Sequence, residues 1–495
     1  MVERRRRSGV MWRLVGVAFA ALGALCALLL LRALTISSLQ PTPQKLDPIA
    51  IDEHGAAERL AGAVRIATIS ESETAPVRSE EFARLHAYLS EQFPRVHATL
   101  RREVIAGHSL LYTWAGRNPL ASPALLIGHL DVVPVEPGTE HVWEQPPFSG
   151  AIAGGFVWGR GTIDDKFTVL GLLEAAEILL AQNFQPQRTV YFAFGHDEEV
   201  GGDHGAAVIA AELERRGIRP EFVLDEGGAL MKEAVPGLSG PLACIGVAEK
   251  GSVGVRLEVQ AVGGHSSAPP RQTAVGKVAA AIAALERNQL PPRITPPVAE
   301  MLRYLAPELP LVPHRLVAAN LWLFEPFLLR ALAGEPATNA SVRTTTAATM
   351  IGGGVKENVL PASAWALVNY RILPGDSVAS VLAHVERTMA DPDVSVAVAP
   401  RAREPTGVSP TTTPAFRYLS QTIRNVFPDA VVAPYLTIGG TDVRHYARVS
   451  QNLYRFMPLQ ADRSDLARMH GANERVSVEV YRKGVEFYAH FLAGL

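Results

Sequence analysis

Three short apolar runs in this 495-residue chain each break off on histidines or carboxylates, and this pattern constrains the fold most. A-L-L-I-G (124–128) leads into His129 and Asp131, T-V-Y-F-A-F (189–194) into G-H-D-E-E, and F-V-L (222–224) into Asp225. Short apolar runs bounded by glycine read as buried strands. Between them, Thr168 to Ala181 and the segment closing at Glu212 to Arg216 read as helices. Strand–helix alternation of this kind predicts an α/β domain with a central, mostly parallel sheet. Such sheets gather ligands outside the carboxyl ends of their strands, where these polar groups stand.

The texture changes near Lys250. S-V-G-V-R-L-E-V-Q-A-V (252–262) alternates like a half-exposed antiparallel strand. A helix follows from about Ala274 to Arg287, then strand-like W-A-L-V-N-Y-R-I (365–372), a helix from Val378 to Met389 and V-S-V-A-V (394–398). This order predicts a small α+β, ferredoxin-like lid domain over 250–402, inserted between catalytic segments 51–249 and 403–495. Within it, 291–340 carries L-W-L-F-E-P-F-L-L (321–329), apolar enough to be helical and packed. Lid core is the plainer reading for this stretch; an apolar wall on the substrate cleft is the other.

At the amino terminus, Leu14 to Leu31 form an eighteen-residue uncharged run between Arg13 and Arg32, close to the length of a membrane span. Residues 1–35 read as a signal anchor. The competing readings are a cleaved signal peptide, for which the residues after Leu31 form a poor cleavage site, and a core helix. Arg4 to Arg7 would hold the tip in the cytoplasm and send the catalytic domain to the extracytoplasmic side. Residues 36–50 are Pro-rich and polar, as in a linker.

Composition narrows the chemistry. Lys+Arg 47 against Asp+Glu 49 leaves no basic field to recruit nucleic acid. Cys26 and Cys244 are the only cysteines, so a metal here must be held by histidine and carboxylate. Taken singly, the motifs are bland. His129 and Asp131 could be a hydrogen-bonded pair, Asp164 and Asp165 in G-R-G-T-I-D-D-K could cap a helix, and Glu198 and Glu199 could be solvated. Asp225 ends a strand, and His470 in R-M-H-G-A-N-E could be an ordinary surface residue. Together, two histidines and several carboxylates at the strand ends of one domain point to a dinuclear metal site.

H-L-D-V-V-P, G-R-G-T-I-D-D-K, G-H-D-E-E and G-G-H-S-S-A-P-P (263–270) resemble the dinuclear-zinc metallopeptidase/aminoacylase family. The branch is that of yeast carboxypeptidase S and the secreted N-fatty-acyl amino acid synthase/hydrolase. The resemblance implies two zinc ions: His129 and Asp225 on one, Glu199 and His470 on the other, Asp164 bridging. It implies Glu198 as general base, Asp131 as partner of His129, and His265 facing the metals across the cleft as oxyanion donor. It implies a cis bond between Asp164 and Asp165. Arg371, Asn358 and the Gly439-Gly440-Thr441 loop fall where that family contacts substrate. The substrate implied is an N-acyl amino acid or short blocked peptide with a free carboxylate. A dipeptidase or aminopeptidase using the same metals, or a silent binding ectodomain, are the alternatives. The 291–340 stretch departs from small family members in their dimerisation region, leaving a dimer open.

Overall fold

The computed structural model describes residues 2–389 and 391–495; the side chains of residues 2–10, including Arg4 to Arg7, lie outside the described residues. The central strands of the large sheet are short apolar runs, A-L-L-I-G-H, V-Y-F-A-F-G and F-V-L-D, buried on both faces. The order along the sheet is Arg101–Ile105, Ser109–Trp114, Val190–Gly195, Ala124–His129, Phe222–Asp225, Leu453–Arg455 and Leu242–Glu249, then two short edge strands. Val431–Thr437 also pairs with Leu242–Glu249, in parallel. The sheet is mixed, with a parallel middle. His129 lies opposite Gly195, and Leu126 opposite Leu224, so the carboxyl ends of three strands open on one edge.

Both faces of the sheet are covered. Helices Glu53–Val64, Lys166–Ala181, Pro414–Val426 and Val478–Ala493 pack on one side with Leu126, Phe192 and Leu224. Helix Ala206–Arg215 and the turn Asp442–Arg448 cover Leu125, Ala193 and Val223 on the other. Helix Lys166–Ala181 is buried along almost its whole length, as its Leu- and Ala-rich sequence requires. It is crossed by Val478–Ala493, whose start is capped by Ser477 accepting the Val480 N–H at 3.1 Å. The two helices touch through Gly484, where an added Cβ would stand 2.4 Å from the Phe167 ring.

A second, four-stranded antiparallel sheet follows directly from Leu242–Glu249 across Lys250. Its order is Thr345–Gly353, Ser363–Ile372, Gly251–Gln260 and Val394–Val398. Buried and half-buried residues alternate along Gly251–Gln260, and helices Ala274–Arg287 and Val378–Met389 cover the buried face. This smaller unit has its own hydrophobic core.

The stretch 291–340 does not supply that core. Helix Pro296–Leu305 packs along Val431–Thr437, and Tyr304, Leu305 and Leu309 join the large domain's core. Helix Leu321–Leu332 has no buried residue. The lid-core reading does not describe it. At the amino terminus, helix Val2–Thr35 contains a 25-residue segment, Met11–Thr35, long and apolar enough to cross a membrane. Residues 36–50 carry no helix or strand, yet they are not a free stalk. Gln40 exchanges two hydrogen bonds with the Val432 backbone, at 2.9 and 2.7 Å, and the Gln44 N–H donates to Asn425.

The Gly484–Phe167 contact gives the first prediction. Gly484→Val should lower the melting temperature through overpacking of about 1–3 kcal/mol. An unchanged melting temperature would show that the two helices have room to part.

Candidate metal centre

Two strand ends and two loops bring four of the predicted residues together, with His129 and Asp164 buried, Glu199 half-buried and His470 exposed. His129 closes its strand, and its Nε2 lies 2.8 Å from Asp164 Oδ1. The other oxygen, Oδ2, lies 3.0 Å from His470 Nε2, which is also 3.3 Å from Glu199 Oε2. Asp164 therefore belongs to two donor groups at once. One is His129, Asp164 and Glu226; the other is Asp164, Glu199 and His470, and in each the donor atoms lie within 4.8 Å of one another. The peptide bond between Asp164 and Asp165 is cis.

One member differs from the sequence expectation. Asp225 is not in either group; Glu226 is. The Asp225 oxygens accept backbone N–H groups from Glu226 at 2.9 Å and Val443 at 2.8 Å. Strand alternation explains the exchange. Asp225 shares a face with Val223, whose cluster contains Val443 and Tyr446, so it meets the 442–448 turn. Glu226 takes the opposite face, that of Leu224 and helix Lys166–Ala181. V-L-D-E alone does not say which face meets the helix; the packing places Glu226 in the group with Asp164.

Asp131 does two jobs. Its backbone carbonyl and Oδ1 stand 3.0 and 3.3 Å from His129 Nδ1, which turns Nε2 toward Asp164. Its carboxylate also accepts the backbone N–H groups of Glu198 at 3.1 Å and Glu199 at 3.2 Å, fixing the Gly195 loop. Glu198 stands outside both donor groups.

Glu474, which the sequence reading passed over, ties the His470 loop to the Asp164 loop. Its fully buried carboxylate accepts from Arg160 Nη1 at 2.6 Å and from the backbone N–H groups of Gly161, Ile163 and Asp164 at 3.0, 2.9 and 3.3 Å. Gly128 permits a further close approach: a Cβ there would meet Asp165 Oδ2 at 2.6 Å, and that oxygen accepts the His129 N–H.

The remaining candidates lie apart. His265 is exposed on a two-residue strand of the smaller unit, paired with Val359 beside Asn358, also exposed. Its Nδ1 accepts the Ser267 N–H at 3.1 Å. Arg371 is exposed on the strand Ser363–Ile372. Gly439 and Gly440 are exposed, but Thr441 is buried, and both its N–H and its hydroxyl donate to Glu249, at 3.1 and 2.7 Å. The Thr441 amide is therefore not free for a ligand. Glu249 also accepts from Arg455 Nε at 2.7 Å, which locks this loop to the sheet.

The electrostatics test whether cations fit. Burial pushes the Glu198 carboxyl well up, and repulsion from Asp442, Glu199 and Asp164 adds to it. Burial and then Asp164 push Glu199 up to about 7, and burial pushes Asp225 up to about 6. Glu226 and Asp442 are raised further for the same reasons. Contacts with Asp164 and Glu199 raise His470 to about 10. Burial pulls His129 down, but its hydrogen bonds to Asp131 and Asp164 outweigh this and leave it well above its ordinary value. Negative charge is in surplus, and Glu199 Oε1 is buried with no hydrogen-bond partner among the described residues. Two imidazoles with converging carboxylates and an orphaned oxygen fit divalent cations of the hard-to-borderline kind.

These histidine and carboxylate donors at the carboxyl edge of an α/β sheet form a candidate metal centre. The chain belongs to Peptidase family M20/M25/M40, whose profile it matches over residues 125–494. It is 42% identical over 475 residues to the probable carboxypeptidase S-like 2 of Dictyostelium discoideum, covering 94% of this chain and 91% of that one. It is 41% identical over 441 residues to the N-fatty-acyl-amino acid synthase/hydrolase PM20D1 of Mus musculus, covering 88% and 86%. Among solved structures, the M20 family metallo-carboxypeptidase Sso-CP2 from Sulfolobus solfataricus shares the fold at a TM-score of 0.66 and 17% identity, covering 90% of this chain and 99% of that one.

A pH prediction follows from the raised carboxyl groups. A carboxyl whose pKa is higher folded than unfolded favours folding when protonated; that contribution is complete below about 4.5 and is lost as pH rises through the folded value. For Glu199 the window closes at about 7, and His470, raised to about 10, acts in the same direction above it. The metal-free protein should therefore melt at progressively lower temperature from about pH 5 to pH 7, while the increment given by added zinc grows. Calorimetry in chelator and in zinc measures both. A zinc increment that shrinks as pH rises would contradict this.

Proposed function

We propose that the chain is a di-zinc amidohydrolase of carboxypeptidase S type. It cleaves N-acyl amino acids or N-blocked dipeptides that carry a free carboxylate. The observation that carries this reading is the membership of Asp164 in both donor groups. His129 and Glu226 would hold one ion, Glu199 and His470 the other, and Asp164 both. Bound there, the ions supply Lewis acidity toward a carbonyl and a water that loses its proton near neutral pH.

The chain's own groups do the rest. Glu198, outside both donor groups and with its backbone N–H held by Asp131, takes the proton of the attacking water and returns it to the leaving amine. The high pKa that burial gives this carboxyl suits it to accept and release a proton. The Ser267 N–H occupies His265 Nδ1, so the proton sits on Nε2, which is then a donor for the developing oxyanion. Closure of the smaller unit as a lid, about Lys250 and the Leu373–Asp376 turn, would carry His265 over the cleft. Burial and then the nearby Arg371 lower Lys250 to about 8, and its ammonium is held by the Ala340 and Arg343 carbonyls, so exposed Arg371 is the cation proposed for the substrate carboxylate. Gly439 and Gly440 leave room for close approach, and Asn358 lies beside His265. The mouse relative's name, for N-fatty-acyl amino acids, supports the acyl side of the reading. Met11–Thr35 is the proposed anchor, with the catalytic domain on the extracytoplasmic side.

The test is a matched pair, an N-acyl-leucine and its amide, compared by kcat/KM. The carboxylate form should be hydrolysed and the amide slower by roughly 10²-fold, because a cation would be left without its partner. Equal values would remove the carboxylate clamp and make the chain a general amidase.

A further inference from the structure

Helix Leu321–Leu332 reads L-W-L-F-E-P-F-L-L-R-A-L, apolar on nearly every side, yet none of its residues is buried. Trp322 is 56% and Phe327 72% exposed. Leu323, Phe324, Leu328 and Leu329 are half-buried, so it is the face bearing Trp322 and Phe327 that needs another cover, and its neighbours indicate which. The preceding turn, Leu316–Ala319, packs against the N-terminal helix. Asn320, fully buried, donates its Nδ2 to the Leu29 carbonyl at 3.1 Å and to Leu316 at 2.9 Å. Leu29 and Ala33, one turn apart, are buried, while Leu28, Leu30, Leu31 and Leu34 stay exposed.

These contacts fix a depth. A 25-residue helix is about 37 Å long against about 30 Å of hydrocarbon, and Leu29 lies about 9 Å from its Thr35 end. In a chain anchored by Met11–Thr35, Asn320 and the first turn of Leu321–Leu332 therefore stand where acyl chains meet head groups. A cavity of about 590 Å³ opens between the two elements, lined by Arg32, Leu39, Arg303, Leu321 and Trp322 among others. Its walls are mostly apolar; Arg303 is paired with Glu300, also in the lining, at 2.7 Å, which leaves Arg32 as the cation for a lipid phosphate. Residues 36–50, held to Val432 and Asn425, keep the catalytic body from lifting away.

We propose that helix Leu321–Leu332 lies in the interfacial layer of the leaflet that receives the end of the N-terminal helix, with a bilayer phospholipid in the cavity between them. The catalytic body then sits on the membrane surface, facing amphiphilic substrates where they partition. This rests on the N-terminal helix being a retained anchor, as proposed above.

Full-length protein in phosphatidylcholine vesicles carrying spin-labelled lipid tests it. An environment-sensitive fluorophore is placed in turn at L22C, F327C and V355C in a C26A background, Cys244 being buried. Val355, 93% exposed on the smaller unit, is the aqueous control. The expected result is loss of emission at the Leu22 and Phe327 positions and none at Val355. Quenching at Leu22 with none at Phe327 overturns the membrane seat and leaves the anchor standing. No quenching at either overturns the anchor and the seat together. A Phe327 label shielded from water but untouched by quencher lipid means that protein covers the helix, and also overturns the proposal.

Discussion

The carboxylate of Asp164 stands between two imidazoles, 2.8 Å from His129 and 3.0 Å from His470. Those histidines come from opposite ends of the catalytic sequence. Bringing them to one carboxylate requires that the parallel strands be in register, that the loop after Trp158 be folded back, and that the carboxyl-terminal segment return to the sheet. The rest of the large domain serves that meeting. Its hydrophobic layers set the strands, and the strands set the edge on which the donors converge.

Buried charge of this density is unfavourable unless each group has a partner. The structure supplies partners in two ways. Backbone amides are turned inward, onto Asp131, Asp225 and Glu474, so these three carboxylates brace the loops. The remaining carboxylates face one another and the imidazoles, and this surplus of negative charge is what a pair of cations would neutralise. Division of labour among adjacent acids follows from geometry: in both Asp164-Asp165 and Asp225-Glu226, one residue faces its partner donors and its neighbour holds backbone.

That division marks the limit of what the sequence discloses. The strand ends at His129, Glu199 and Asp225 were readable because short apolar runs terminate on chemically costly groups, whereas the ligand roles, those of Asp164 and His470 above all, came from the resemblance of the motifs. The choice of Glu226 over Asp225 required knowing which face of the strand carries helix Lys166–Ala181. Glu474 was invisible because a lone glutamate near a chain's last helix is ordinary until Arg160 is seen against it. Thr441 looked like a substrate contact and instead donates to Glu249. The stretch 291–340 was recognisable as helical and apolar, but apolarity does not say which surface it covers. Its packing on Val431–Thr437 and on the N-terminal helix is a tertiary fact.

The central claim is that one side chain, Asp164, joins two metal sites into one centre. Metal content of the purified wild type and of Asp164→Ala, measured by elemental analysis after equilibration with zinc, tests it most directly. The account predicts two ions per chain in the wild type and loss of both in the variant, with the fold retained by circular dichroism. A folded variant that keeps both ions would contradict it and assign the bridge to another carboxylate.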